Sequence, residues 1–213
     1  MSMKLDLGCS KHKQPGFIGM NRHAGEGVDV IGDLNGKLPF QDDSVEFVMA
    51  ARSLPFVQDL NMVLSEIYRI CMHKAVVCIL APYAHTYRHS SNPFLKHKFD
   101  EYTPRYLTRQ FYQPQKGPPS PENPHYCHPD PPFDFRLLHM EMFYNAALWS
   151  PLYEQEELET LHQLQINTVD EIMYHFLAVK NTITEEELEY LSRMTHDEPE
   201  CVRELRYIPN EGL

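Results

Sequence analysis

Short apolar runs, each bounded by polar or turn-forming residues, recur along the first eighty residues of the chain. The first run, Met3 to Leu7, stops at Gly8, a residue that allows a tight turn and a close approach of the backbone to a ligand. Runs of this length predict buried β-strands. Four more follow, at Phe17–Asn21, Val28–Asp33, Val45–Ala50 and Ala75–Leu80. A doubly wound α/β sheet has such a strand at its centre and binds ligands at the carboxyl ends of its strands.

The clearest helical pattern runs from Asp59 to Met72. Its apolar residues share one face at the spacing i, i+3, i+4 and i+7, and Asp59 is the predicted N-cap. Further on, the pattern predicts helices at Thr103–Phe111 and Tyr153–Gln165, and strands at Phe135–Phe143 and Ile172–Lys180.

The links between the first three strands are short, Gly8 to Gly16 and then Arg22 to Gly27. A parallel crossover normally needs about a dozen residues and carries a helix. Six extended residues span roughly 20 Å, about the length needed to run back along a short strand. Parallel pairing is therefore feasible only if these helices are reduced to a turn or lost.

The C-terminal region predicts a helix that begins near Ile183. Thr184 and Glu187 form a capping box, and Ile183 and Leu188 form a hydrophobic staple. The apolar stripe comprises Leu188, Leu191 and Met194, and Cys201, Val202 and Leu205 predict one more short helix. We interpret these helices as packing elements, with a homodimer contact as the alternative. The predicted organisation is one α/β domain over residues 1–180 and a helical extension over residues 181–213.

Residues 113–132 differ in composition from the rest of the chain, because eight of these twenty residues are proline. Proline lacks a backbone donor and blocks helix formation, so the segment is predicted to be an irregular loop. A loop of this length inside a compact domain is either a functional lid or a disordered insertion.

The composition limits the classes of partner. The 213 residues suffice for one domain with a sizeable core, and the net charge of −11 argues against a nucleic-acid backbone as the main partner. Five scattered cysteines without a C-x-x-C motif indicate free thiols in a reducing compartment. No signal peptide and no apolar run approaching about 18 residues is visible, so we expect a soluble, cytoplasmic protein that does not bind a membrane.

Four sequence blocks stand in a familiar order: Leu5-Asp6-Leu7-Gly8-Cys9-Ser10, Gly32-Asp33-Leu34, Leu38 to Val48, and Glu66 to Ile70 followed by a strand ending in Ala81-Pro82. Together they resemble the class I S-adenosylmethionine-dependent methyltransferases, in particular the compact type-11-like group. The resemblance implies a doubly wound, mostly parallel, Rossmann-like sheet with abbreviated N-terminal crossovers. It also implies S-adenosylmethionine as cofactor and methyl transfer to a small-molecule acceptor.

The resemblance assigns cofactor-binding roles residue by residue. Gly8, Cys9 and Ser10 match the loop that lies against the methionine and ribose parts of the cofactor. Asn21 stands where the family usually has an acidic residue for the ribose hydroxyls, and an amide oxygen accepts there without charge. Asp33 matches the carboxylate that binds the adenine amino group, with Leu34 beside the ring. Ala51, Arg52 and Ser53 match the segment that lines the methionine end.

Two departures from the family pattern support a second hypothesis. Leu54-Pro55-Phe56 replaces the usual Leu-Glu-His, and Lys74-Ala75 replaces a glycine pair. With Asn21, they favour a non-catalytic relative that keeps the fold and binds the cofactor or a protein partner. A third reading, a nicotinamide dehydrogenase, requires G-x-G-x-x-G, whereas this loop has Gly8, Ser10 and Lys13 at those places.

The acceptor side is predicted just past the fifth strand. Residues 83–89 contain two histidines and two tyrosines, which are groups that act as bases or orient a hydroxyl. His85 is the candidate catalytic base, and Tyr83 and His89 are predicted to line the pocket; the alternative is that these rings pack under the proline-rich segment. His125-Tyr126-Cys127-His128 with Asp130 has metal-ligand types without a zinc spacing, so no metal site is predicted.

Overall fold

The computed structural model describes residues 3–9, 11–122, 130–148 and 153–206. Seven strands form a single sheet in the order β3-β2-β1-β4-β5-β7-β6. Their bounds are β1 Met3–Leu7, β2 Ile18–Asn21, β3 Val30–Ile31, β4 Val45–Ala51, β5 Cys71–Pro82, β6 Phe135–Tyr144 and β7 Val169–Ala178. The helices are α1 Leu60–Ile70, α2 Tyr87–Ser90, α3 Thr103–Tyr106, α4 Gln155–Leu164, α5 Glu185–Ser192 and α6 Val202–Leu205.

Strands β1 to β5 are parallel, and β7 and β6 join the sheet antiparallel to their neighbours. This confirms the predicted α/β fold with a mostly parallel sheet. Because β7 runs against β5, the start of β7 lies at the carboxyl end of β5, where Pro82 pairs with Glu171. This edge of the sheet therefore carries the ends of the parallel strands together with residues from the beginning of β7.

The crossovers from β1 to β4 contain no helix in the described residues, as their lengths predicted. Hydrogen bonds to carboxylates hold these links instead. Asp6 accepts from the backbone N–H of Gln14 at 2.9 Å, and Asp29 accepts from the N–H of Gly19 at 2.8 Å. The Lys13 ammonium also donates to Asp29 at 2.7 Å. Buried polar groups need such partners, and here they replace the hydrogen bonds of a helix.

Helix α1 covers one face of the sheet. Its N-cap is Asp59, as predicted, and the Asp59 side chain accepts from the Met62 N–H at 3.0 Å. Val63, Leu64, Ile67 and Ile70 are buried and belong to one hydrophobic cluster with Leu5 and Leu7 of β1. The helix ends at Ile70 rather than at Met72 because Cys71 already begins β5.

The other face is covered by the C-terminal part of the chain. Val202 of α6 is buried in a cluster with Phe17, Phe47 and Met49 from the N-terminal half of the sheet. The Lys4 ammonium on β1 pairs with Asp197 at 2.7 Å. Residues 197–205 thus lie over strands whose own crossovers carry no helix. The predicted boundary at residue 180, between the α/β domain and the C-terminal helical extension, stays a prediction.

Four local predictions were wrong. Helix α3 ends at Tyr106 rather than at Phe111. Strand β3 has two residues rather than six, because Val28 closes a turn before it by donating its N–H to the oxygen of Gly25. Helix α5 ends at Ser192, which leaves Met194 outside the apolar stripe with 48% of its surface exposed. Thr184 caps α5 by accepting from the N–H of Glu187, but the reciprocal capping box occurs at α4, between Glu154 and Glu157.

None of the helices in the described ranges is long and apolar enough to span a membrane.

Candidate functional site

The loop after β1 and the loop after β4 meet at the carboxyl edge of the sheet. Gly8 has a φ of +78°, a conformation that side-chain-bearing residues rarely adopt. A Cβ at this position would overlap the Cβ of Ser53 and would lie 3.2 Å from the Ser53 Oγ. Only glycine fits here, because Ser53 occupies the space that a side chain would need, so the loops after β1 and β4 are in direct contact.

Ser53 and Arg52 form the β4 side of this junction. The Ser53 Oγ is buried and has no hydrogen-bond partner among the described residues, an arrangement that costs free energy unless a ligand satisfies it. Arg52 has a φ of +58°, and its guanidinium donates to both oxygens of the Glu171 carboxylate, at 2.6 and 2.7 Å. Ala51, the last residue of β4, is half-buried beside them.

Asn21 connects two of the loops at this edge. Its Nδ2 donates to the backbone oxygen of Cys9 at 2.6 Å, and its Oδ1 accepts from the N–H of His23. Cys9 is buried, and burial raises the pKa of its thiol to about 11, so it is a protonated packing residue. Ser10 lies outside the described residues.

Asp33 and Leu34 follow β3. The Asp33 Oδ1 accepts from both the N–H and the Nδ2 of Asn35, each at 2.9 Å, and these hydrogen bonds lower the pKa of Asp33. The carboxylate is exposed and ionised, and its second oxygen, Oδ2, takes no part in these two hydrogen bonds. Leu34 is half-buried against the main core. This pair has the chemistry needed to bind an amino group beside an apolar ring.

A cavity of about 1370 Å³ opens beside the carboxyl end of β5. Its walls include Tyr83, His85, Glu101, Tyr102, Met140, Tyr144 and His162. The Tyr83 hydroxyl donates to Glu101 Oε2 at 2.6 Å, and His162 Nε2 lies 3.4 Å from Glu101 Oε1. The cavity therefore combines aromatic and apolar walls with a small group of acid and base side chains.

The predicted acceptor residues lie in two places. Tyr83 and His85 both line the cavity, although the side chain of His85 is 57% exposed and lies 3.8 Å from Asp100. His89 pairs with Asp170 at 3.1 Å, alongside Arg88, which pairs with the same carboxylate. Glu101 and His162 also line the cavity but were not predicted from the sequence, because no local motif links residues that are 61 positions apart. The His125–His128 cluster lies outside the described residues, and the described part of the chain contains no group of three potential metal ligands.

Comparison with known proteins agrees with this geometry. Residues 13–79 match a family model described as a methyltransferase domain. The chain also superposes on a SAM-dependent methyltransferase from Archaeoglobus fulgidus with a TM-score of 0.55 and 16% identity, over 83% of this chain and 86% of that one. The chain has the class I methyltransferase fold. The resemblance found in the sequence is thereby confirmed.

Two further structures share this methyltransferase fold. Geranyl diphosphate C-methyltransferase from Streptomyces coelicolor A3(2), in complex with S-adenosyl-L-homocysteine, has a TM-score of 0.51 and 13% identity, over 84% of this chain and 74% of that one. The putative methyltransferase of Haloferax volcanii, in complex with the Trm112 activator, has a TM-score of 0.50 and 13% identity, over 84% and 83%. At such identities the likeness shows the fold alone. No curated protein matches the chain significantly in sequence.

Proposed function

We propose that this protein transfers a methyl group from S-adenosylmethionine to a small-molecule acceptor. The proposal rests on two features that lie at the same edge of the sheet, the one that carries the carboxyl ends of the parallel strands. The first is the junction of Gly8 with the unpartnered Ser53 Oγ, and the second is the cavity beside Tyr83. In open α/β sheets, ligands bind at this edge.

The residues around the junction fit the cofactor. As the resemblance implies, the loop Gly8-Cys9-Ser10 would contact its methionine and ribose parts, and the Ser53 Oγ beside Gly8 would gain a partner. Asn21 would act mainly by holding the Cys9 loop, because its amide is already hydrogen-bonded. Asp33 would accept from the adenine amino group, Leu34 would pack beside the ring, and Ala51 and Arg52 would line the methionine end.

Methyl transfer requires the protein to position the acceptor more than to activate it chemically. When bound, the cofactor would supply a methyl group on a positively charged sulfur, and the sulfur would be the leaving group as the acceptor atom bonds to the methyl carbon from the opposite side. The protein has to hold the acceptor in that line, exclude water and, where the acceptor carries a proton, remove it. The cavity walls supply apolar contacts for the body of the acceptor, and the acid and base side chains supply polar contacts for its reacting end.

Calorimetry tests the cofactor assignment. S-Adenosylmethionine should bind the wild-type protein, and NADH should not. Asp33→Ala should weaken binding by about 1–3 kcal/mol, the range for a lost hydrogen bond to a charged group. Asp42→Ala is the matched control, because this exposed carboxylate pairs with Arg69 instead. Binding of NADH but not of S-adenosylmethionine would contradict the proposal.

A second experiment separates an enzyme from a non-catalytic relative. Leu54-Pro55-Phe56 forms a short 3-10 turn with Leu54 and Pro55 buried, so this segment packs against the core rather than presenting a polar side chain. The non-catalytic alternative predicts cofactor binding without turnover. Incubation with S-adenosylmethionine and a small-molecule cell extract should release S-adenosylhomocysteine if the protein is an enzyme, and mass spectrometry would identify the methylated product.

A further inference from the structure

Three side chains from distant parts of the sequence meet in the wall of the cavity. Tyr83 follows β5, Glu101 precedes α3, and His162 lies near the end of α4. The Tyr83 hydroxyl is 2.6 Å from Glu101 Oε2, His162 Nε2 is 3.4 Å from Glu101 Oε1, and His162 Nδ1 is 3.5 Å from the Tyr83 hydroxyl. The side chains of Glu101 and His162 are 14% and 10% exposed, so the group is largely shielded from bulk water.

The hydrogen bonds determine which nitrogen of His162 is basic. Tyr83 has one hydroxyl proton, and the 2.6 Å contact assigns that proton to Glu101 rather than to His162. Glu101, as an acceptor, then receives the other hydrogen bond from the N–H at His162 Nε2. A neutral imidazole carries one N–H, so Nδ1 presents its lone pair. Contacts of 3.4 and 3.5 Å are long, as catalytic hydrogen bonds often are before a substrate binds.

The charge states support this arrangement at neutral pH. Burial alone would raise the pKa of Glu101, but the hydrogen bonds from His162 and Tyr83 outweigh burial and hold it at about 2. Burial, followed by the contact with Glu101, raises the pKa of Tyr83 above its ordinary value. Glu101 therefore remains a carboxylate and Tyr83 remains a phenol, so each keeps its hydrogen-bonding role.

His85 lies in the same cavity but lacks this support. Its ring is 5.5 Å from the ring of Tyr83, its side chain is 57% exposed, and its ion-pair contact to Asp100 is 3.8 Å long. A base that is neither oriented nor shielded gains little over water. The geometry favours His162 over His85 for proton removal.

We propose that His162 is the general base for methyl transfer to a hydroxyl or amine acceptor, and that Glu101 is its positioning residue. The proposal rests on the proposed function. The acceptor's lone pair forms a bond to the methyl carbon while the carbon–sulfur bond breaks and its electron pair stays on sulfur. The acceptor's O–H or N–H proton passes to His162 Nδ1, and the resulting imidazolium keeps its Nε2–H on the carboxylate of Glu101.

Nitrogen-15 NMR of the imidazole rings tests the assignment without an acceptor. In the wild-type protein, the neutral imidazole of His162 should carry its proton on Nε2 and leave Nδ1 unprotonated. Glu101→Gln should remove this preference and give a mixture of tautomers, whereas Glu156→Gln, an exposed carboxylate on the same helix, should leave it unchanged. A wild-type His162 protonated at Nδ1, or a spectrum that Glu101→Gln does not alter, would overturn the proposal.

Turnover supplies the second readout. Tritium-labelled S-adenosylmethionine would be incubated with a mixture of phenols, primary amines and thiols. We expect label on a phenol or an amine, and His162→Gln should lower that rate by about 10²–10⁴-fold, more than His85→Gln does. Glu156→Gln, at an exposed position of the same helix, is the control and should change the rate by less than about threefold. Glu101→Gln should also lower the rate, because His162 would then no longer be held in the tautomer that leaves Nδ1 free to accept a proton. Normal turnover in His162→Gln, or label on thiols alone, would contradict the proposal.

The two proposals fail in different ways. If S-adenosylmethionine does not bind, the proposed function falls, whatever the tautomer of His162. If it binds and His162→Gln remains fully active, only the assignment of the base falls. If it binds and no acceptor in the mixture is labelled, the NMR tautomer decides the assignment of His162 by itself.

Discussion

Gly8 and Ser53 lie so close together that any side chain at Gly8 would overlap the Cβ of Ser53. The two residues follow neighbouring strands, β1 and β4, which pair in parallel. Their contact therefore fixes how closely the two loops approach at the edge where the cofactor is proposed to bind. Four predictions follow from this and other contacts.

The first prediction compares two glycines with the same backbone conformation. Gly16 has a φ of +81° and no heavy atom within 4 Å of a Cβ built on it, whereas Gly8 has a φ of +78° and meets Ser53. Gly16→Ala should cost about 1–2 kcal/mol in the free energy of unfolding, the cost of the left-handed conformation alone. Gly8→Ala should cost about 1–3 kcal/mol more, because overlap forces the loops apart.

Urea denaturation measures both effects, and Ser53→Gly supplies the rescue. Removing the Ser53 Cβ should recover part of the loss in the double variant, with a coupling energy of about 0.5–3 kcal/mol. Equal destabilisation by Gly8→Ala and Gly16→Ala would show that the contact with Ser53 has no energetic effect.

The second prediction concerns acid sensitivity. His175 is buried with its Nδ1 unpartnered among the described residues, and burial lowers its pKa to about 4. An unfolded chain binds this proton near pH 6.5. Between those values the unfolded state binds more protons than the folded state, so stability falls as the pH decreases. Between about pH 7.5 and 5, this one group should remove roughly 2 kcal/mol of unfolding free energy.

His175→Phe should flatten that part of the stability profile, because phenylalanine cannot titrate. At pH 7.5 the variant also loses the hydrogen bond to the backbone oxygen of Asp197, so its stability there is expected to be lower. His12→Phe, at an exposed position, is the control and should keep the wild-type slope. The measurement is urea denaturation at several pH values, and an unchanged slope in His175→Phe would contradict the prediction.

The third prediction concerns the proline-rich segment. Arg105 donates from Nε and Nη2 to the backbone oxygen of Ser120 and lies 4.0 Å from the centre of the Phe111 ring. Lys116 is exposed in this segment and precedes Gly117, so trypsin can cut there. Arg105→Ala should release the segment and speed that cut, whereas Arg203→Ala, at an exposed position of α6, should not.

Ligands test whether the same segment acts as a lid. Residues 116–119 and Pro121 lie along the cavity that contains His162. S-Adenosylmethionine with an acceptor should slow cleavage after Lys116 if the segment closes over the cavity. Mass spectrometry of the tryptic fragments follows the rate, and a rate that no ligand changes would leave the segment as an insertion without a gating role.

The fourth prediction concerns the ion pair at the end of β4. The side chain of Glu171 is only 5% exposed, whereas that of Arg52 is 45% exposed. Arg52→Met would leave a buried carboxylate without its partner and should destabilise the protein by about 3 kcal/mol, near the lower end for broken buried pairs. Arg52→Met/Glu171→Gln should recover part of this loss in thermal denaturation. A double variant less stable than Arg52→Met would show that Glu171 does not depend on Arg52.

Much of the fold could be predicted from local patterns. The spacing of apolar residues placed α1, because burial of one helix face imposes a regular period. Continuous apolar runs placed the parallel strands, because both faces of such strands are buried. Short links correctly predicted helix-free crossovers, since chain length limits what a connection can contain. Strand β3 was overestimated because Val28 and Asp29 have strand-like neighbours in sequence, yet Val28 closes a turn with Gly25.

The candidate site was less predictable. Tyr83 and His85 could be placed from their position after β5, because strand ends determine where the following residues go. Glu101 and His162 could not, since their roles depend on a contact between α4 and a loop that no periodicity reveals. His162 was one of twelve histidines, and the pattern around it predicted a helix over Tyr153–Gln165 without singling out any residue of it.

The C-terminal cover of the sheet has a consequence for synthesis on the ribosome. Lys4 and Asp197, which pair across the sheet, are 193 positions apart, and Val202 completes the cluster around Phe17 and Phe47. Strands β1 and β4 therefore keep one apolar face uncovered until translation has passed residue 202. At elongation rates of about 5–20 residues per second, that interval lasts roughly ten seconds or more. During this time the nascent chain depends on chaperones or on transient contacts, and premature termination after residue 180 would release a sheet with an exposed hydrophobic face.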